Sequence, residues 1–369
     1  MATIKVHLRK DIDRSYDIII ESGLAKKLPM LLKKKRWGEK YAIISDETIS
    51  KLYGRNLQKV LQKAGIRSEL FTFPDGDTNK NIKSTVKILD EMLDKKFDRN
   101  DAIIALGGGV PGDLAGFVAA IFMRGIPYIH VPTSLLAMVD SSIGGKTGVN
   151  LSAGKNLAGS IYQPKIVIID PDYLKKLPES ELLCGMSETL KYGIILSPTL
   201  FEYIEKNPDN LLKRTPQFLN KIITQSCKLK ATVIEKDEYE SGLRMILNYG
   251  HTIGHALEKL TSYKMNHGQA IAIGMKLVNS MCVKKNLQPE SEKKRINNLI
   301  NILNLAQCKE EKVVHPKNAD KLWEIMKSDK KALHGIIRFI IVPTIGTTEI
   351  YDKFTKKDLS HALLNYDRD

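Results

Sequence analysis

DAIIALGGGVPGDLAGFVAAIF, residues 101–122, decides the fold. A β-branched apolar run leads into three consecutive glycines and then a helical pattern. That order reads as a strand, a tight turn and a helix. The turn satisfies G-x-G-x-x-G at Gly107, Gly109 and Gly112. Glycines let a backbone approach a pyrophosphate closely, and a following helix N-terminus favours negative charge. The glycine pattern alone is weak evidence, but its strand–turn–helix setting strengthens it. Two features depart from the usual dinucleotide site. The turn follows about the fourth strand rather than the first, and no ribose-binding acid stands at the usual offset. The stretch therefore reads as a dinucleotide site in a non-standard strand order, with a purely structural turn as the alternative.

Outward from it, the first 170 residues alternate. Short β-rich runs occur at YDIII, YAIIS, ELFTF, DAIIAL, YIHVP and KIVIID, with helical patterns such as ETISKLYGRNLQKVLQKAG and NIKSTVKILDEMLDKK between most of them. This predicts an α/β domain with a mostly parallel sheet. From Glu179 onward the periodicity is nearly all helical, broken by Pro198, Pro208, Pro216 and Pro289. A late strand pair, IIRFIIV and TTEIY, precedes the last helix. The expected division is an α/β domain over 1–175 and a helical domain over 176–369.

Ligands in open α/β sheets sit at the C-terminal ends of strands. Asp46 closes YAIISD, and FPDGDTNKN places Asp77 and Lys80 after another strand end. The segment VPTSLLAMVDSSIGGKTGVNLSAGKN (131–156) holds Asp140, Lys146, Lys155 and Asn156 among glycine turns. It reads as a polar loop with apolar anchors, packed into a cleft. Lysines beside glycine turns suit phosphate, because ammonium and backbone N–H groups converge on one anion.

RMILNYGHTIGHALE (244–258) reads as one helix whose spacing stacks Arg244, Asn248, His251 and His255 on one face. Thr252 follows His251 where a zinc protease needs Glu, which argues against that class. Glu188 in GMSETLKYG and His267 in MNHGQAIAIGM could join His251 as one carboxylate and two imidazoles, a reasonable zinc set. By spacing alone this trio is one of several. His255 would then serve as an acid, base or donor.

Composition narrows the partners. The formal charge of +15 favours anionic ligands, yet the chain shows no RNA-binding or zinc-finger signature, so an acidic small molecule fits and nucleic acid is not expected. The dense KKKR run at 33–36 reads as a solvated helix end. No apolar run approaches membrane-span length, and MATIKVHLRKDIDRSY lacks a secretory stretch, so no membrane is expected and the cytoplasm is the expected compartment. Cys184, Cys227, Cys282 and Cys308 form no C-x-x-C and read as reduced, mostly buried thiols.

Taken together, GGGVPGDLAGFVAAIFMRGI, VPTSLLAMVDSSIGGKTGVN, GKNLAGSIYQP, SETLKYG, GLRMILNYGHTIGHALE, HGQAIAIGM and SDKK closely resemble the 3-dehydroquinate synthase family of sugar-phosphate cyclases. The likeness runs from about Asp46 to Val342. It implies an N-terminal NAD-binding α/β domain, an α-helical metal-binding domain, an active site between them and a homodimer. It implies zinc or cobalt on Glu188, His251 and His267. Asp140, Lys146, Asn156, Lys191, Lys230, Glu240, Arg244, Asn248, His255 and Lys330 or Lys331 would line the substrate site, with Arg124 reaching the phosphate from a neighbouring subunit. Asp46, Asp77, Lys80, Gly108, Gly109, Val110, Asp113, Thr133, Ser134, Lys146 and Lys155 would hold NAD. Pro111, Asp77, Ser134 and Lys176 depart from the family pattern, each near the cofactor.

The implied substrate is a phosphorylated, carboxylated sugar acid, 3-deoxy-D-arabino-heptulosonate 7-phosphate. NAD would oxidise its C5 carbinol transiently. Phosphate would then leave by elimination, the hydride would return, and an intramolecular aldol would close the ring. Lys146, Asn156, Arg124 and a C-terminal lysine would hold phosphate. Lys230 and Arg244 would hold the carboxylate, and Lys191, Asp140 and His255 would handle the hydroxyl proton. A sister cyclase acting on an uncarboxylated sugar phosphate and a metal- and NAD-dependent polyol dehydrogenase are the alternatives.

Overall fold

The structure is a computed structural model that describes residues 13–307, 313–328 and 336–366. Cys308, Lys330 and Lys331 lie outside the described residues. The strands are β1 (Asp17–Ile20), β2 (Lys40–Asp46), β3 (Arg67–Phe73), β4 (Ala102–Gly107), β5 (Tyr128–Pro132), β6 (Lys146–Leu151), β7 (Gly154–Ile161), β8 (Ile166–Ile169), β9 (Phe339–Ile341) and β10 (Glu349–Tyr351). The helices are α1 (Leu24–Lys35), α2 (Glu47–Ile49), α3 (Arg55–Lys63), α4 (Ile82–Asp94), α5 (Gly109–Ile121), α6 (Glu179–Leu196), α7 (Pro198–Glu205), α8 (Pro216–Lys236), α9 (His251–Leu260), α10 (His267–Lys284), α11 (Glu290–Ile302), α12 (Ala319–Lys327) and α13 (Lys356–Leu364).

All six runs read as strands in the first 170 residues enter one sheet, ordered β1-β8-β5-β4-β2-β3, and every pairing in it is parallel. β4, β5 and β8 are buried along their whole length because both faces are covered, which is why they read as continuous apolar runs. Ala42, Ile44, Ile103 and Ala105 face Ile88, Leu114 and Val118 of α4 and α5. Tyr41, Ile43, Ile104 and Leu106 face Leu28 of α1 and Leu57 and Leu61 of α3. The alternation of successive side chains splits the core into these two layers.

The order places a topological switch point between β2 and β4. After β2 the chain moves outward to β3, then returns to the other side of β2 as β4. The crevice at such a point is where open α/β sheets bind ligands. Asp46 ends β2 and Gly107 ends β4, so the two sequence features read as cofactor elements flank one crevice.

The polar segment 131–156 differs from the expected loop. It forms a π-helical turn at Ala137–Ser141 and then an antiparallel hairpin of β6 and β7. Gly148 and Gly159 face each other there, and a Cβ on Gly159 would come within 2.1 Å of the Thr147 carbonyl oxygen. Glycines that look like turn signals are needed for the close approach of two strands.

After Asp170 the helices take over, and β9 pairs antiparallel with β10 as the late strand pattern predicts. α6 and α10 are buried nearly all round, as central helices are. One apolar core joins them to Leu135, Met138, Val167 and Ile169, so helices and sheet pack without a gap near residue 175. α1 carries Lys33, Lys34 and Lys35 in its last turn, where cations suit the helix dipole.

Candidate active site

The stretch 244–258 is not one helix. Leu243–Asn248 forms a 3-10 turn, and α9 starts afresh at His251. Gly250 between them has φ +77, and a Cβ there would lie 2.7 Å from the Ile271 carbonyl oxygen and from Met275 Cγ. The break separates Arg244 and Asn248 from the histidine face. A Gly250→Ala protein combines left-handed strain with overpacking and should lose about 2–4 kcal/mol of stability, measured by denaturant unfolding. An unchanged midpoint would show that the helix start tolerates a side chain.

α6 and α10 bring Glu188 and His267 to His251 as the trio requires. Their potential ligand atoms lie within 4.8 Å of one another. His251 Nε2 is 3.2 Å and His267 Nε2 is 3.6 Å from Glu188 Oε1. Glu188 is buried, and neither of its oxygens receives a well-formed hydrogen bond, although Lys191 Nζ pairs with Oε2. Burial opposes its charge, yet Lys191, His251 and His267 hold its carboxyl well below the usual range. A buried carboxylate whose Oε1 faces two imidazoles without a well-formed hydrogen bond fits a divalent cation. His251 Nδ1 lies 3.1 Å from the Tyr249 carbonyl oxygen. A carbonyl only accepts, so this bond sets the tautomer and turns the Nε2 lone pair toward Glu188. Burial and then Lys191 lower the His251 pKa to about 4.

Beside the trio, Asp140 is fixed from two sides. Lys230 Nζ donates to its carbonyl oxygen and to Oδ1, each at 2.7 Å, and the buried Tyr192 hydroxyl donates to Oδ1. Burial pulls the Asp140 carboxyl upward, but Lys230 and Lys191 outweigh it and the net shift is down. Glu240 gathers two more expected residues, pairing with Lys146 and accepting from Asn248 Nδ2 at 3.0 Å. Arg244 is buried, and its guanidinium donates to the Glu238 carbonyl oxygen at 2.5 Å and to that of Gly144 at 3.4 Å. A guanidinium has five N–H groups, so these bonds orient it without exhausting it. His255 packs edge-on to His251 and stacks 6.1 Å from His267.

Most of the residues expected to hold the cofactor lie around the switch point. Gly108, Gly109, Val110 and Asp113 open α5, opposite Thr133 and Ser134. Thr133 N–H donates to the Gly107 carbonyl oxygen at 2.9 Å, and a Cβ on Gly108 would reach 3.3 Å from Ser134 Oγ. Thr133 Oγ1 is buried without a hydrogen-bond partner, so the turn combines bare backbone with an unmatched hydroxyl, as a pyrophosphate cradle does. Asp46 accepts from Ile49 N–H at 2.7 Å, and burial pushes its carboxyl up to about 6. Lys80 Nζ donates to Asp113 and to Asn156 Oδ1, each at 2.7 Å. Burial raises the Asp113 carboxyl against the pull of Lys80. Lys155 reaches Asp77 Oδ2 at 3.0 Å.

One expected residue among those described is not gathered here. Arg124 is exposed on a left-handed backbone (φ 69), and among the described residues it has no hydrogen bond or ion pair. The C-terminal lysines lie outside the described residues. Two further residues emerge only in the fold, Tyr192 behind Asp140 and Glu258 behind His267. The signal for Glu258 was its place seven residues after His251, two turns along the same helix face.

The chain is similar to known proteins. The family model described as 3-dehydroquinate synthase N-terminal matches residues 70–184, and the one described as 3-dehydroquinate synthase C-terminal matches 185–332. A 3-dehydroquinate synthase of Rippkaea orientalis is 42% identical over 95% of this chain and 96% of its own. Among solved structures, a 2-epi-5-epi-valiolone synthase of Streptomyces hygroscopicus with NAD+ and Zn2+ bound superposes at TM-score 0.88, with 25% identity over 99% of this chain and 100% of that one. A 2-deoxy-scyllo-inosose synthase complexed with carbaglucose-6-phosphate, NAD+ and Co2+ superposes at 0.84, with 27% identity over 94% of this chain and 95% of that one.

Proposed function

This chain belongs to the 3-dehydroquinate synthase family, and from that premise we propose how its own residues carry the family's reaction. The enzyme is a phosphate-eliminating cyclase that converts 3-deoxy-D-arabino-heptulosonate 7-phosphate into 3-dehydroquinate and phosphate, with NAD and a zinc or cobalt ion as cofactors. The observation that carries the assignment of the site is the buried Glu188 carboxylate, unmatched by hydrogen bonds, between His251 and His267.

Glu188, His251 and His267 hold the metal ion. Asp46, Asp77, Lys80, Gly108, Gly109, Val110, Asp113, Thr133, Ser134, Lys146 and Lys155 hold NAD. When bound, NAD supplies a reversible hydride acceptor and the metal ion polarises substrate oxygens as a Lewis acid. The cations of the cleft are already paired, Lys146 with Glu240, Lys191 with Glu188 and Lys230 with Asp140. An arriving phosphate therefore exchanges one anion for another at Lys146, with Asn248 beside it on Glu240. Asn156 is the second phosphate contact, held at a left-handed φ of 53. Lys230 and Arg244 take the carboxylate, where the planar fork of Arg244 suits a planar anion. Lys191, Asp140 and His255 orient and move the proton of the reacting hydroxyl.

Arg124 completes the phosphate site of a second copy in a homodimer. Its exposure supports this, as do exposed Ile121 and Met123 beside it and an exposed stripe of Ile82, Val86 and Leu93 on α4, which packs on α5. Among the described residues no helix is long and apolar enough to cross a membrane. Cys184, Cys227 and Cys282 are free and buried, which suits a reducing cytoplasm.

The test follows inorganic phosphate and NADH absorbance together, with catalytic NAD, zinc and the heptulosonate phosphate. Phosphate release without NADH build-up is expected, because the hydride returns in each turnover. Steady NADH without phosphate would mark a dehydrogenase instead. Neither signal, with the metal bound, would point to a sister cyclase and an uncarboxylated substrate.

A further inference from the structure

His267 is held from behind. Its Nδ1 lies 3.5 Å from Glu258 Oε1, while its Nε2 faces Glu188. Glu258 sits on α9, is itself buried, and reaches the histidine at the start of α10. The same Oε1 is 3.8 Å from Lys155 Nζ. Lys155 stands on the far element, the hairpin strand β7, and its ammonium lies 3.0 Å from Asp77 Oδ2 and 4.0 Å from the centre of the Tyr263 ring. Asp77 in turn is 3.8 Å from Lys80, which holds Asp113 and Asn156. A chain of alternating charge thus runs from the metal-facing histidine to the cofactor crevice. It crosses from the helical part to the sheet part at one residue, Lys155.

We propose that Glu258 is the positioning residue of His267, and that the Glu258–Lys155–Asp77 chain makes occupancy of the metal site and of the cofactor crevice depend on each other. This rests on the reading of Glu188, His251 and His267 as the metal ligands. A carboxylate on the outer nitrogen of a ligating imidazole fixes the ring and its tautomer and raises its basicity. Lys155 cannot approach Glu258 and Asp77 independently, because both bind the one ammonium on a single side chain. Whatever draws Asp77 toward a bound cofactor moves the countercharge of Glu258, and whatever fixes His267 steadies Lys155. Such coupling is reciprocal by thermodynamic necessity, so each ligand alters the affinity of the other by the same factor.

The experiment uses binding rather than turnover. Zinc affinity of the full-length protein is measured by competition with a chromogenic chelator, and NAD affinity by fluorescence with and without zinc, in the wild type, Glu258→Gln, Lys155→Met and His251→Ala. Glu258→Gln keeps the shape and removes the charge, and it should weaken zinc about 10–100-fold. Zinc should change wild-type NAD affinity by about fivefold or more, and Lys155→Met should bring that factor close to one. Circular dichroism of the metal-free proteins checks folding, and a Glu258→Asp protein that recovers zinc binding separates a charge effect from a packing effect. Unchanged zinc affinity in folded Glu258→Gln would overturn the positioning role. A wild-type factor of one, or the full wild-type factor in Lys155→Met, would overturn the coupling. If His251→Ala binds zinc as the wild type does, the ligand assignment itself fails, which is a different result from either of these.

Discussion

A His251→Ala protein should fold, bind NAD and neither hold zinc nor turn over. Removing a partner behind a ligand already costs about 10–100-fold in metal affinity, so deleting one of three ligands should cost more than about 100-fold. A Lewis acid worth several kcal/mol of charge stabilisation corresponds to about a thousandfold or more in rate. The fold should survive because His251 begins α9, with its side chain partly exposed and its neighbours Ile253 and Leu257 carrying the core packing. NAD should still bind because its glycine turn lies on the sheet, between β4 and α5. Metal content by elemental analysis, NAD titration and phosphate release on one preparation test all three. Full activity in a metal-free His251→Ala protein would end the assignment.

Asp140→Asn should damage both stability and catalysis. Lys230 Nζ is nearly inaccessible to solvent and takes its anionic partner from Asp140 Oδ1. Replacing that carboxylate with an amide leaves a buried ammonium uncompensated, and Lys191 and Arg244 already press on it. Breaking a buried pair costs about 3–5 kcal/mol, and the partial exposure of Asp140 places the expectation at the low end, about 3 kcal/mol. The pH dependence follows from the lowered carboxyl of Asp140. Its contribution is complete above the unfolded carboxylate value of about 4 and is lost as pH falls through the lower folded value. Wild type and variant should therefore differ at neutral pH and converge in acid, as read by denaturant midpoints. Turnover should fall at least about 100-fold, the usual scale for a group that handles a proton. Equal midpoints at neutral pH would show that Lys230 finds another partner.

Much of the fold was legible because local signals and global packing agree. The runs of β4, β5 and β8 in the parallel sheet are apolar on both faces, and burial on both faces demands that composition. The glycine turn was readable because a strand must end where it begins and a helix must follow. Residues 131–156 were misread because Gly148 serves the close approach of two strands rather than a turn, and only the pairing of β6 with β7 reveals it. Residues 244–258 were misread because Gly250 is tolerable in a helical pattern, and what forbids a Cβ there is the backbone of α10, a different element.

The sequence by itself determined the family to which the chain belongs and singled out the candidate side chains for its chemistry, since motif composition and spacing along the chain are properties of the chain alone. It also determined the division into a sheet part and a helical part, because hydrophobic period is local. Only the tertiary structure decided which charges neutralise one another. Lys146 meets Glu240 from 94 residues away, Lys230 meets Asp140 from 90, and Lys155 stands between Asp77 and Glu258. The physical reason is that an ion pair depends on separation in space and on exclusion of water, and both are set by how α6, α8, α9 and the β6–β7 hairpin close over one cleft.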